Sequence, residues 1–429
     1  MIRFLSLKNI YIRYTAITLA LVYITLEARE NNDFIIFLSA SSDILHKTNA
    51  YLALYKGCYH YYYSPFFAVL LFPFTLIPAY AAKLIWLALN LFFVFRTWKA
   101  MAFFLDRRVF NEWQKLAFTV ACFLFVLRFM IENFHCGQMT VFILFLSMEG
   151  IYRIMTGRYW FGALLISLAI NIKLLPLLLI PYLLYRRYLK ASAWLLLFLV
   201  CWLILPAAVT GFSFNNVLLK SWWALINPTN KEHVIDTAER SFHSLSSWLP
   251  TLLQDHVGDP HVLLIKRNVA NLDPGIIAVI LNSLRIALVL FGLFFLRSWP
   301  LKRASSKLNA FWELSFIFLL VPLIFPHQQH YAFYFMLPAG TYLCYYISSR
   351  VVSLPGALAV KKTRFLLAGF VLVFLCNNLQ LILGEFGPYY EHFKVITYGA
   401  LLMVVLLAMS GPGEIPVRKE EDERGESFY

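Results

Sequence analysis

Three acids, Glu30, Asp33 and Asp43, stand between Ala28 and Tyr63 in a chain with only 23 Asp and Glu among 429 residues. The stretch follows an apolar segment at about residues 10 to 26 and closes on Tyr59, His60, Tyr61, Tyr62, Tyr63, Ser64 and Pro65. A carboxylate beside an aromatic wall, at the edge of a lipid-facing segment, is suited to take a proton from a polar substrate anchored in lipid. Asp33 is the first candidate because it opens the run Phe34 to Leu45, whose positions 34, 37, 38, 41/42 and 45 form the stripe of a helix lying on a membrane surface. The same placement also suits a plain N-cap, where an acid accepts from backbone amides and complements the helix dipole. Asp43, inside that helix, reads as a solvated polar-face residue.

Lys173 is a cation embedded in the apolar run Ala169 to Pro176. A charge at the centre of a membrane helix costs at least ~2.5 kcal/mol, so it marks a functional position unless the side chain snorkels to an interface. Arg128, Glu132, His135, Gln138 and Glu149 crowd another helix end and its turn, either as a site or as interfacial polar residues. Phe325-Pro326-His327-Gln328-Gln329-His330-Tyr331 sets two imidazoles three residues apart between two apolar runs. With no neighbouring carboxylate in sequence and no third ligand by spacing, no metal is expected there. Contact with a phosphate or a sugar hydroxyl, or an ordinary interfacial role, remains. Cys122, Cys201, Cys344 and Cys376 lie in apolar sequence and Cys58 and Cys136 near loops, a pattern of packing residues rather than of disulfides.

The elements that must hold these residues are membrane helices. The chain is 60% hydrophobic and 14% charged, which describes an all-α polytopic membrane protein. Apolar runs near the ~20 residues needed to cross the hydrocarbon recur along it, giving about ten to thirteen helices. No cleavable leader is expected, because the first apolar run is long enough to span and lacks a small-residue cleavage site after it. The net charge of +14 is spread over short clusters between apolar runs. Arg96 to Lys115, Arg153 and Arg158, Arg186 to Lys190, Arg297 to Lys307 and Arg350 to Arg364 mark a cytoplasmic side. A nucleic-acid binder would gather that charge on one face, so no nucleic acid is expected. Pro176 and Pro181 interrupt a run of basic-flanked apolar residues, which predicts two half-helices meeting near Lys173, as in helices that line a cavity. The organisation expected is a membrane domain over residues 1–411, containing a first extracytoplasmic loop at 28–63 and a larger one at 213–273, then a disordered charged tail at 412–429.

Four stretches, in order, carry a family resemblance. They are Asp33-Phe34 through Tyr51 with Tyr63-Ser64-Pro65-Phe66-Phe67 to Pro73; Gly137-Gln138 opening a helix; Ile172-Lys173-Leu174-Leu175-Pro176 ending at Arg186-Arg187; and Pro326 to Pro338. Together they resemble the family 87 glycosyltransferases of the GT-C superfamily, multi-span enzymes that use polyprenyl-phosphate sugars and include mannosyltransferases and arabinofuranosyltransferases. The likeness runs from about residue 10 to 410. It implies a GT-C fold and places the family's catalytic aspartate at Asp33. It departs in the histidine segment, where His327 and His330 are separated by two glutamines instead of adjacent, and at His243-Ser244-Leu245, where a histidine replaces a more usual amide.

The resemblance implies an inverting transfer of a single sugar, mannose or another hexose or pentose, to a lipid-linked or glycan acceptor on the outer face of a bacterial plasma membrane. Asp33 would be the general base. Lys173, His327, His330, Gln138 and His243 would contact the donor phosphate or sugar. The partners implied are the polyprenyl-phosphate donor, a glycolipid or glycan acceptor and the bilayer, with no cofactor. Rival readings of the same buried charges are a secondary transporter or lipid flippase, and a ligase or polymerase that moves a lipid-linked oligosaccharide.

Overall fold

The computed structural model describes residues 2–30, 32–57, 59–227, 235–237, 239–255 and 263–414. Cys58, Glu232 and the tail from residue 415 lie outside them. Among the described residues the chain is helical, with isolated bridges between Tyr55 and Tyr59 and between Phe242 and Gln329 as its only β pairing. This is what lipid imposes, since a helix satisfies its own backbone polar groups where no water can.

By length and composition, Ala79–Ala102, Leu189–Thr210, Pro274–Leu296 and Lys307–Ile324 can each cross a membrane. Two bent pairs, Glu112–Phe125 with Leu127–Cys136 and Lys361–Asn378 with Gln380–His392, raise the number of spans from four to six among the described residues. The count falls short of the expected ten to thirteen because proline, glycine and charge divide several apolar runs into helices such as Tyr159–Ile172 and Val395–Met409. The protein is an integral membrane protein. Its outer surface agrees: along Pro274–Leu296 the side chains of Ile276, Val279, Ile286, Leu290 and Leu293 are exposed and apolar, the face a lipid solvent selects.

The basic clusters meet one another at one end of the bundle. Arg96 pairs with Glu149 at 2.6 Å, and Arg153 reaches the same carboxylate at 2.7 Å. Arg186, fully buried, grips Glu313 with Nη2 at 2.5 Å and Nε at 2.9 Å, and donates to Ser298 Oγ at 2.6 Å. Arg303 stacks on Tyr188 and Lys307 on Phe103. These contacts tie together the loops that follow Ala102, Met155, Tyr185 and Leu296. The first loop meets the described part of the 213–273 segment at the opposite end, where Trp222 Nε1 donates to the Tyr62 carbonyl at 3.2 Å and Asn49 Nδ2 to Ser221 Oγ at 2.9 Å.

Between the ends, Thr140–Met155 and Tyr159–Ile172 pack without side chains in the way. A Cβ on Gly150 would meet Ile166 Cγ1 at 2.5 Å, and one on Gly162 would meet the Gly150 carbonyl at 2.5 Å. Small residues let the two backbones touch. The first of these helices begins just after Gln138 and the second ends just before Lys173, so the close packing fixes both residues at the same end.

Candidate active site

Asp33 occupies the N-cap position of the surface helix Phe34–Leu45, but its side chain makes no cap hydrogen bond. It accepts instead from Gln138 Nε2 at 2.6 Å, and Gln138 Oε1 in turn accepts from Tyr63 OH at 3.1 Å. Asp33 therefore does not do the capping that its place on the helix allows. Burial raises the Asp33 carboxyl above its ordinary value, against the Gln138 hydrogen bond and the nearby charges of Lys56, His135 and Lys83, which lower it.

Gln138 reaches Asp33 because of the turn before it. Leu127–Cys136 ends on Gly137 at φ +66, with Gln138 N–H donating to the Asn133 carbonyl and Gly137 N–H to the Phe134 carbonyl. That is the Schellman pattern, which needs a left-handed residue. The turn lies so close to the surface helix that a Cβ on Gly137 would sit 2.8 Å from Phe34 Cβ. Trp86 Nε1 holds the Gly137 carbonyl at 3.1 Å, and Lys83 Nζ donates to the carbonyls of Glu30 at 2.8 Å and His135 at 3.1 Å. First loop and turn are thus sewn to the start of Ala79–Ala102.

Tyr159–Ile172 stops at Lys173, whose backbone is extended (φ −152, ψ 132), and Leu175–Leu178 continues as a 3₁₀ turn into Leu179–Tyr185. This is the break expected near Pro176. Ser64, at the foot of the first loop, donates to Asn171 Oδ1 at 2.7 Å beside it. Lys173 Nζ stands 5.6 Å from the centre of the Tyr63 ring and has no hydrogen-bond or ion-pair partner among the described residues.

Asp33, Gln138, Lys173 and His327 line one cavity of about 1090 Å³. That is just above the ~300–1,000 Å³ common for small-molecule sites. His327 takes a left-handed backbone (φ +54) at the turn after Lys307–Ile324. Its Nδ1 lies 2.9 Å from Asp236 Oδ1 and its backbone N–H donates to Asp236 Oδ2 at 2.6 Å. Asp236 is buried and is itself held by Ser246 and Ser247 of the large loop. A carboxylate on one ring nitrogen fixes the imidazole's orientation.

His330 and His243 stand apart from Asp33, Gln138, Lys173 and His327. Neither lines the cavity. Their rings face each other behind it with centroids 4.9 Å apart, and His330 Nε2 is 3.3 Å from Glu391. Both ring nitrogens of His243 are buried without a hydrogen-bond partner among the described residues. Burial, with His330, Lys394 and Arg128 adding to it, drives the His243 pKa well below its ordinary value, so the ring is neutral. The three-residue spacing does not bring both imidazoles to one face because the chain turns left-handed at His327 and extended at Gln329. Asp43, partly exposed on its helix, accepts from Tyr55 OH at 2.7 Å.

The cavity also contains residues that sequence reasoning passed over: Asp236, Glu239 and Arg285. Arg285 carried the same signal as Lys173, a lone cation in the apolar helix Pro274–Leu296. Its guanidinium donates to Asn282 Oδ1 at 3.2 Å and to Ser246 Oγ. The two acids had no signal, since the polar segment around them has many acids and no periodicity.

A cavity among lipid-exposed helices, lined by a non-capping carboxylate together with Lys173 and Arg285, is what a membrane enzyme for a polar substrate needs. The model of glycosyltransferase family 87 matches residues 61–326, and the chain belongs to that family. It is a glycosyltransferase, which sets the transporter and flippase readings aside. The matched residues include Gln138, Lys173, Asp236, His243 and Arg285, while Asp33 precedes them and His327 and His330 follow. No curated protein and no solved structure matches the chain.

Proposed function

We propose that the protein transfers a single sugar, mannose or another hexose or pentose, from a polyprenyl-phosphate donor to a lipid-linked or glycan acceptor, with inversion and with Asp33 as general base. The observation that carries this is that Asp33 leaves its helix uncapped and faces a cavity that also holds Lys173. Asp33 Oδ2 is fixed by Gln138, which aims the other oxygen at an acceptor hydroxyl. The acceptor oxygen gives its proton to Asp33 and attacks the anomeric carbon as the bond from that carbon to the phosphate oxygen breaks. The electron pair leaves with the lipid phosphate, whose growing charge Lys173, His327 and Arg285 are set to hold. The reaction needs no nucleotide and no cofactor.

The active site belongs, on this reading, to the extracytoplasmic face of a bacterial plasma membrane, because the basic clusters collect at the far end. A GT-C arrangement of about ten to thirteen passes would count shorter apolar helices such as Tyr159–Ile172 and Val395–Met409 as passes too. Within Val395–Met409, Thr397 donates to the His243 carbonyl at 2.6 Å and the Leu407 carbonyl accepts from Trp312 at 2.8 Å. Leu175 is in the cavity wall while Tyr185 donates to Ser298 at 2.5 Å.

The test is a panel of polyprenyl-phosphate sugars offered to purified protein, with Asp33→Asn and Asp43→Asn compared at equal expression and equal donor binding. Transfer by Asp33→Asn should fall by ~10²-fold or more, the usual weight of a general base. Asp43→Asn should cost far less. A near wild-type rate in Asp33→Asn removes this residue from the chemistry.

A further inference from the structure

The cavity is lined by Lys173, Arg285 and the Asp236-paired His327 together with Asp33, Gln138, Glu239 and Gln329. Glu239 has no part in the transfer derived above. Its Oε2 accepts from Gln329 Nε2 at 2.7 Å and from Ser241 Oγ at 3.1 Å. One oxygen is thereby pinned by two neutral donors, and the carboxylate is held rigidly in the cavity wall. It feels the charges of Asp236 and Asp33, and burial raises its carboxyl above the ordinary value. An anionic group on the substrate would be repelled here, so the phosphate is not its ligand. Hydroxyl groups are suited to it, because a fixed carboxylate oxygen beside a glutamine amide offers an acceptor and a carbonyl–amide pair to adjacent O–H groups.

We infer that Glu239 is a specificity-determining residue that accepts hydrogen bonds from adjacent hydroxyls of a sugar bound in the cavity. This deepens the donor-dependent transfer proposed above and rests on it. The sugar is either the one being transferred or the terminal residue of the acceptor. In both cases the contact is to a diol, and it acts on binding and selection instead of on the proton taken by Asp33. A site whose buried acceptor requires a hydroxyl discriminates strongly against a substrate that lacks it or points it elsewhere, since the acceptor is left unpaired.

The experiment uses the full chain in detergent and equilibrium binding of two radiolabelled lipids, a short-chain polyprenyl phosphate and the same lipid carrying a phosphate-linked hexose chosen from the donor panel. Wild-type protein should bind the sugar-bearing lipid at least ~10-fold more tightly, the weight of a hydrogen bond to a charged group. In Glu239→Ala that advantage should fall to about twofold or less while affinity for the bare lipid phosphate stays unchanged. Glu239→Gln, which preserves volume and one acceptor oxygen, should keep part of it and guards against a folding defect. Should the advantage survive while the acceptor KM rises by ~10-fold or more at saturating donor, the diol belongs to the acceptor and the contact stands. The inference is overturned if both variants keep the wild-type sugar advantage and acceptor KM. Failure of the donor reading looks different, because wild-type protein would then bind neither lipid.

Discussion

Replacing Gly137 by alanine should slow transfer without unfolding the protein, and the size of the effect can be worked from the turn. The φ of +66 costs an alanine ~1–2 kcal/mol in the left-handed region. The new methyl would lie 2.8 Å from Phe34 Cβ, whereas carbon atoms rest at roughly 3.5 Å or more, so one segment must retreat by about 0.7 Å. Phe34 Cβ cannot swing aside, because it is fixed to the backbone next to Asp33. The retreat therefore stretches the 2.6 Å bond from Gln138 to Asp33 to about 3.3 Å, beyond a good hydrogen bond. A misplacement near 1 Å is worth up to ~10²-fold in rate, so kcat should fall by about 10- to 100-fold with donor affinity nearly intact. Gly157→Ala is the control. It has φ +86 with nothing within 4 Å of its Cβ, so it carries the strain without the displacement. The assay is single-turnover transfer at saturating donor, with thermal midpoints measured in parallel. Equal kcat for wild type and both variants would show that the turn does not position Asp33.

Lys173→Met should raise the donor Kd by ~10-fold or more, because it removes a charge-assisted contact worth ~1.5–3 kcal/mol; unchanged affinity and turnover would make it a snorkelling residue. A base must be ionised to work and burial raises the Asp33 carboxyl, so with Asp33 as the proposed base kcat/KM should fall with decreasing pH through a limb displaced above the ordinary aspartate value. Gln138→Leu removes a hydrogen bond that opposes that shift, and should move the limb to still higher pH in a pH–rate profile. Glu313→Ala leaves the buried Arg186 without its ion partner and should cost ~3–5 kcal/mol in denaturation, with no selective effect on donor binding.

Much of the site was legible where a single residue contradicts its surroundings. Asp33 after a spanning run, Lys173 in apolar sequence and Gln138 after a glycine all stand out, and all line the cavity with His327. Asp236 and Glu239 did not stand out, because what distinguishes them is docking of the large loop on the turn at Pro326 to Tyr331, a long-range event. The pairing of His243 with His330 behind the wall was hidden for the same reason. Spans were less legible than their existence: hydropathy marks apolar sequence, but whether Leu127–Cys136 continues Glu112–Phe125 depends on a 60° bend at Val126.

The cavity wall draws on residues from Asp33 to Tyr331, and this has a consequence for biogenesis. A chain entering the membrane from its N-terminus brings in Asp33 early, but the His327 imidazole and Asp236 meet only after the turn at His327 has been synthesised and docked on the large loop. Until then the cavity lacks part of its wall. Partly inserted chains should therefore transfer no sugar, and activity should appear only once these late segments have docked.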